Sequence, residues 1–250
     1  MKKLISIIIA FIMSLTMVGC VGENVVLSES KTYDVTTQIT SLNLELKAGE
    51  FNIKNGESFL VESNLKHLKV IENNGVLTVR DNANSTSKFT GAKFTLYIPA
   101  NVQFYSVDID IGAGELTVES LLANEIELDF GAGNVTFNNL NNSSNIDIEG
   151  GTGNVSILNG TLKNLQVEMG TGELNLNASL LGNTELEFGV GNSKITVIGN
   201  ISDYALEISK GVGSIKIDGS SVSNNDVIGN GPNKIEISGG VGSITVDFIA

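Results

Sequence analysis

Residues 125–137 read Glu125-Ile126-Glu127-Leu128-Asp129-Phe130-Gly131-Ala132-Gly133-Asn134-Val135-Thr136-Phe137. Acidic and apolar residues alternate up to Phe130. That is the period of a strand with one wet face and one buried face. Gly131 and Gly133 then interrupt it where a chain without Cβ can turn a tight corner or take positive φ. Alternation resumes at once in Val135-Thr136-Phe137.

The same grammar recurs along the chain. Gly-x-Gly pairs, read as structural turns, occur at Gly112 and Gly114, Gly131 and Gly133, Gly151 and Gly153, Gly170 and Gly172, Gly189 and Gly191, Gly211 and Gly213, and Gly240 and Gly242. Successive steps are 19, 20, 19, 19, 22 and 29 residues. A period near 20 marks a repeat architecture, because one such coil cannot bury its apolar side alone. The expected class is all-β, a single-stranded β-solenoid (β-helix-like) with about 19–20 residues per coil over residues 101–250. An up-and-down antiparallel barrel or sandwich is the alternative. The constant register of the acidic strand favours the solenoid.

Stacking in chain order predicts two outward ladders. One is Asp108, Glu127, Asp147, Gln166, Glu185, Glu207, Glu236; the other is Asp110, Asp129, Glu149, Glu168, Glu187, then Ser209 and Ser238. The strand after each corner presents Thr117, Thr136, Ser156, Asn175, Thr196, Lys216 and Thr245, a nearly neutral face. The repeat weakens over 200–239, where a distorted corner or a protruding loop is expected around Gly219–Gly231. Residues 35–100 also read as β, without the period. Candidate strands are Ile39–Ala48, Glu50–Ile53, Ser58–Glu62, Leu68–Ile71, Gly75–Arg80 and Lys93–Pro99, with a polar loop at Asp81–Thr90. This region is expected to be a cap or irregular coils continuous with the repeats, since bare sheet ends invite edge pairing.

The chain has 250 residues, 15 basic and 28 acidic side chains, a formal charge of −13, one His (His67) and one Cys (Cys20). An intrachain disulfide and a histidine-cluster metal site are excluded. Nucleic acid is not an expected partner, because its binder needs a basic patch. Lys2 and Lys3 precede an apolar run from Leu4 to Val18, too short for a comfortable membrane span and read as a secretion signal. The run ends Met17-Val18-Gly19-Cys20, which resembles the lipobox of bacterial lipoproteins. The resemblance implies cleavage after residue 19, acylation of Cys20, and a tether over 20–34. Met17 stands where the lipobox usually has Leu. Stable anchoring needs more than one acyl chain, and the lipobox chemistry supplies a diacylglyceryl group.

The extended segment Tyr97-Ile98-Pro99, the run Val107-Asp108-Ile109-Asp110-Ile111-Gly112-Ala113-Gly114-Glu115-Leu116 and the Gly-x-Gly series together resemble a bacterial cell-envelope family. It is a domain-of-unknown-function family with β-strand repeats, often labelled "putative adhesin". The resemblance covers about residues 35–248 and implies a β-solenoid in the envelope, with no catalytic residues to carry over. The expected function is a noncatalytic, lipid-anchored, extracytoplasmic protein of the cell membrane, an adhesin or a surface-binding or spacer module. Its partners would be the membrane, through the lipid, and a cell-wall, glycan or protein ligand. No cofactor is expected.

Two other readings stay open. Asp110, Asp129, Glu149, Glu168 and Glu187 are candidate ligands for a divalent cation at millimolar concentration, since calcium wants six to eight oxygens and no calcium-binding nonapeptide spacing is present. A polysaccharide-cleaving enzyme would find two carboxylates at suitable spacing anywhere on an acidic ladder. The chain nevertheless lacks Trp and has Arg80 as its only arginine. The Gly-x-Gly pairs are not a nucleotide fingerprint, because no helix follows them.

Overall fold

A computed structural model describes residues 27–83 and 89–250. The secretion signal over 1–19 and Cys20 lie outside the described residues. The N-terminal part forms β1 (Lys31–Asp34), β2 (Ser41–Gly56), β3 (Leu60–Ser63), β4 (Leu68–Asn73), β5 (Val76–Asp81) and β6 (Lys93–Pro99). The middle forms β7 (Phe104–Val118), β8 (Leu121–Phe137), β9 (Leu140–Ile157), β10 (Gly160–Lys163), β11 (Leu165–Leu181) and β12 (Asn183–Ile198). The C-terminal part forms β13 (Tyr204–Ile217), β14 (Ser220–Ser221), β15 (Val227–Gly229) and β16 (Asn233–Ile249). The described residues contain no α-helix; one short 3-10 turn lies at Ile201–Asp203.

Each long strand bends through its glycine corner and pairs in parallel with the next. Asp110 sits beside Asp129, Asp129 beside Glu149, Glu149 beside Glu168 and Glu168 beside Glu187. Those offsets are 19, 20, 19 and 19 residues, so the chain climbs one level per repeat in a solenoid-like stack. The step of 20 comes from one extra residue in β9, where Ala123 pairs with Asn142 but Glu125 pairs with Asn145. The buried Asn142 amide accepts from Lys163 N at 2.8 Å and donates to Lys163 O at 2.9 Å, replacing the ladder bonds that the bulge interrupts.

The glycine pairs, expected as turns between separate strands, instead bend the chain inside continuous strands. Gly112 and Gly114 lie within β7, Gly131 and Gly133 within β8, Gly151 and Gly153 within β9, and Gly170 and Gly172 within β11. Gly189 and Gly191 lie within β12, Gly211 and Gly213 within β13, and Gly240 and Gly242 within β16. The reason is that pairing with the adjacent level carries on through the corner: Gly133 registers with both Gly114 and Gly153, and Gly172 registers with Gly153.

The corner explains both glycines. A Cβ on the first glycine of a pair would strike the carbonyl of the level below, as Gly112 would strike Lys47 O at 2.5 Å. The second glycine takes positive φ, +141° at Gly153 and +150° at Gly172, and its missing Cβ faces the backbone of the second glycine one level below. Both positions therefore serve close approach of adjacent levels; only the second also needs the left-handed region.

Inside the stack, columns of apolar side chains replace a conventional core. One column runs Leu42, Val107, Ile126, Ile146, Leu165, Thr184, Ile235, Leu206, and all eight residues are buried. Thr184 is its one polar member, with its hydroxyl sealed and unpartnered.

The levels do not follow chain order at either end. The order along the stack is β5 with β6, then β2, β7, β8, β9, β11, β12, β16 and β13, which makes nine levels among the described residues. At about 4.8 Å per step the eight steps span roughly 38 Å. The expected sequential stacking of the last coils is corrected: β16 lies between β12 and β13, with Gly242 beside both Gly191 and Gly213. The segment around Gly219–Gly231 is the return path rather than a free loop. Its β14 and β15 pair antiparallel with β13 and cover that edge.

At the other end β2 is a full level, paired with β7 from Ser41–Ser106 to Ile53–Val118. Strands β5 and β6 together form the level beyond it. Antiparallel β4 and β3 cover β5 and β6, and β1 covers β3. The Glu72 carboxylate accepts from Thr36 N and Thr37 N, fastening the chain after β1 across β4. Strand β1 lies within the span read as tether, and Ser28 N already bonds Asn64 O at 3.0 Å.

Candidate functional site: an acidic trough along the glycine corner

The strand before each corner turns alternate side chains outward, so stacking converts single residues into continuous rows. In stack order the first row is Asn43, Asp108, Glu127, Asp147, Gln166, Glu185, Glu236, Glu207. The second is Glu45, Asp110, Asp129, Glu149, Glu168, Glu187, Ser238, Ser209. Both rows exchange the order of their last two members relative to the sequence and begin one level earlier than the glycine series indicates. The signal for that extra level is present in Leu42, Leu44, Leu46 and Gly49-Glu50-Phe51-Asn52-Ile53. Lys47 replaces its first glycine and hides the corner.

Beside the second row the first glycines leave no side chains, and a trough of about 450 Å³ results. Asp110, Asp129, Glu149 and Glu168 form its wall, with Gly112, Gly131, Gly151 and Gly170 along the corner. Rungs about 4.8 Å apart carry like charges. Burial, then the Asp129 and Glu45 carboxylates, push the Asp110 carboxyl above its usual range. Burial and neighbouring carboxylates do the same for Asp108 and Glu127. At Glu149 the Asp129 charge is the first cause. One relief is local: Asn43 Nδ2 donates to Asp108 Oδ2 at 3.0 Å.

Among the described residues, ion pairs compensate the charge only at the ends of the rows. Arg80 pairs with Glu45 at the β5 level. Lys234 bridges Glu236 at 2.7 Å and Glu207 at 3.1 Å, and those hydrogen bonds raise its pKa. The face after the corner runs Asn52, Thr117, Thr136, Ser156, Asn175, then Lys194, Thr245 and Lys216; Lys194 takes the register position expected for Thr196, so the row is neutral through Asn175 and carries two lysines beyond it. The corner's outer residue changes from Ala113, Ala132, Thr152 and Thr171 to exposed Val190, Val241 and Val212.

A second cavity, about 820 Å³, adjoins the trough at Asp110 and Gly112 and continues past Glu45 to Arg80, Asp81 and Phe89. Asp81, expected in a polar loop, instead ends β5 and is 3% exposed. Its Oδ1 accepts from Ala83 N at 3.0 Å, while Oδ2 has no partner. Nearby Lys47 donates to Ala83 O. Sequence reasoning had no signal for this burial, which depends on β4 packing over β5.

Among the described residues no group of three or more His, Cys, Asp or Glu side chains is gathered to hold a metal ion. Asp110, Asp129, Glu149, Glu168 and Glu187 stand one per level. No helix among the described residues is long and apolar enough to cross a membrane.

A family model described as Toastrack DUF4097 matches residues 63–247. A putative adhesin from Bacteroides fragilis has a similar fold, with TM-score 0.51 and 15% identity over 90% of this chain and 100% of that one. A putative cell adhesion protein from Clostridium sporogenes aligns with TM-score 0.44 and 17% identity over 88% and 99%. A putative lipid binding protein from Parabacteroides distasonis aligns with TM-score 0.38 and 12% identity over 91% and 99%. No curated protein matches the sequence.

Proposed function

We propose, for a chain that belongs to the Toastrack DUF4097 family, a noncatalytic role as a lipid-anchored envelope protein that presents long binding surfaces on the extracytoplasmic side. The observation that carries this reading is the in-register stacking of outward side chains. It turns one residue per repeat into an acidic row on one face and a Thr/Asn row on the next. Such quasi-one-dimensional surfaces suit extended ligands of the cell wall, glycans or protein segments. A catalytic centre needs one constellation unlike its surroundings, whereas here each rung repeats its neighbour.

The anchor would be a lipid on Cys20. Ser28 meets Asn64 and Leu27 packs beside the core at the β1 and β3 end. That end would then face the membrane, and β13 would be the distal tip. The body carries its excess of carboxylates away from anionic lipid, which favours the tip standing clear of the bilayer.

Two measurements test the proposal. Cys20→Ser should move the protein from the membrane fraction to the soluble extracytoplasmic fraction; full retention would refute the lipid anchor. Purified envelope material should retain the wild-type protein, and replacing the Thr/Asn row or the acidic row with alanine should reduce that retention at least severalfold. Equal retention of both variants would remove the binding-surface reading. The in-register stacking of carboxylates, one per level from Asp110 to Glu187, supports a second reading, weak divalent-cation binding on the rows. Calcium titration by calorimetry after chelation tests it, and heat saturating only in the millimolar range is the expected result.

A further inference from the structure

We propose that the β4–β5 hairpin carries a site of spontaneous modification: Asn74-Gly75 deamidates through a succinimide, while the stack holds the three other Asn-Gly pairs of the chain unreactive. This goes beyond the binding-surface reading and does not depend on it.

A backbone nitrogen reaches the preceding asparagine side chain most easily when it belongs to Gly, which has no Cβ to obstruct the approach. Asn-Gly occurs at Asn55-Gly56, Asn74-Gly75, Asn159-Gly160 and Asn230-Gly231. All four asparagines are exposed, so exposure does not separate them. The backbone does. Gly231 N is committed to Tyr204 O at 3.0 Å. Gly160 is buried at the start of β10 in register with Leu140, whose N donates to Asn159 O at 3.0 Å. Asn55-Gly56 ends β2 in register with Ile98-Pro99, and Asn55 N donates to the Glu119 carboxylate at 2.9 Å. Ring closure at those three would first have to break stack contacts. Gly75 sits instead in a two-residue loop between the paired Asn73 and Val76, and its N–H has no acceptor among the described residues. Asn74 at φ +49° and Gly75 at φ +79° give the loop the left-handed geometry of a type I′ turn.

The chemistry needs only water. Gly75 N loses its proton to solvent and bonds Asn74 Cγ, and Nδ2 leaves as ammonia. Water then opens the ring. Cleavage between Cγ and the nitrogen leaves aspartate at position 74. Cleavage between the main-chain carbonyl carbon and the nitrogen leaves isoaspartate, with the chain running through Cβ and Cγ. One water enters, one ammonia departs, and no electron is transferred.

The turn also fastens the hairpin. Gly75 O accepts from Thr40 N at 2.7 Å and from Ser41 N at 3.1 Å, at the start of β2. An isoaspartate link adds one atom to a loop whose length the Asn73–Val76 pairing fixes, so that carbonyl is carried away from both donors. The cover that β4 lays over β5 therefore loosens as the molecule ages.

The test ages the full chain in nonionic detergent at mildly alkaline pH. Peptide mass spectrometry with electron-transfer fragmentation then distinguishes aspartate from isoaspartate at each site. Position 74 should convert at least tenfold faster than 55, 159 or 230. In denaturing urea the four should react within threefold of one another. Amide hydrogen exchange at Thr40 and Ser41 should be at least tenfold faster in the isoaspartate fraction than in the fresh chain. Ageing should leave it unchanged in Asn74→Gln, whose longer side chain closes a ring far more slowly. Far-UV circular dichroism confirms that this variant is folded.

Conversion at 74 no faster than at 159 in the folded chain, or a tenfold lead for 74 that persists in urea, would overturn the assignment to the folded turn. Isoaspartate at 74 with Thr40 and Ser41 still protected would overturn the loosening.

Discussion

Gly153→Ala puts the corner geometry to a quantitative test. The new Cβ would lie 2.7 Å from the Gly133 carbonyl carbon and 2.9 Å from its nitrogen, with the carbonyl oxygen closer still. Ordinary contact with that oxygen requires the β8 and β9 levels to part by well over 1 Å at a spacing of about 4.8 Å. Two inter-level hydrogen bonds at about 1 kcal/mol each are forfeited by such an opening. The backbone at φ +141° adds about 1–3 kcal/mol for a residue with a side chain. The expected loss is therefore about 3–5 kcal/mol.

Gly219→Ala is the matched control. Gly219 also has positive φ, +76°, but an added Cβ meets nothing within 4 Å, so only the backbone cost of about 1–2 kcal/mol applies. Urea unfolding followed by far-UV circular dichroism measures both, read as midpoint shifts with the slope held common. A Gly153→Ala loss within about 1 kcal/mol of the Gly219→Ala loss would show that inter-level contact is not what the glycines protect.

Other consequences are as direct. Thr184→Val replaces the sealed, unpartnered hydroxyl by a methyl in an Ile/Leu column, and should stabilise by about 1 kcal/mol; a loss of stability in the same urea assay would mean that the hydroxyl has a partner. Asp108, Asp110, Glu127 and Glu149 have folded-state pKa values above their unfolded ones, so the native state binds the extra proton. Their ionisation costs stability at neutral pH, and that cost is recovered as pH falls from the raised values toward the ordinary carboxylate range. The urea midpoint should rise as pH is lowered from neutral toward the ordinary carboxylate range, and Asp110→Asn/Asp129→Asn/Glu149→Gln should flatten the rise. Glu72 works in the opposite sense: its pKa is lowered by the Thr37 hydroxyl and backbone, so its small contribution is lost on acidification. A midpoint that fell monotonically from neutral pH would refute the balance assigned to the rows.

Much of this was legible because the signals are periodic. Alternation around Leu128 or Leu186 separates wet from buried positions, and the glycine pairs mark the corner at each repeat. The exchanged order of the last two levels was not legible. Val190, Val212 and Val241 each sit in an identical Gly-Val-Gly, so each of the three levels offers the same partner to a neighbour and chain order was the only cue. Lys47-Ala48-Gly49 hid the β2 level because one substitution at the first glycine removes the motif while leaving the fold. A Cβ is tolerated there because the β5 and β6 level is split at that corner. The Asp81 environment depends on contacts between segments distant in sequence, and no local pattern encodes it.

The exchange of levels at the two ends has a mechanical meaning. In a stack laid down in chain order, a terminal coil has one free end and can peel away by itself. Here each outermost level is an interior loop of the chain: β5 and β6 lie in sequence between β2 and β7, and β13 lies between β12 and β16. If β13 lets go, both of its ends remain held by inner levels, and the freed segment gains only the limited entropy of a closed loop. Fraying of either tip is thereby discouraged without a disulfide, and the stack should resist proteolysis inward from its ends until an inner level opens as well.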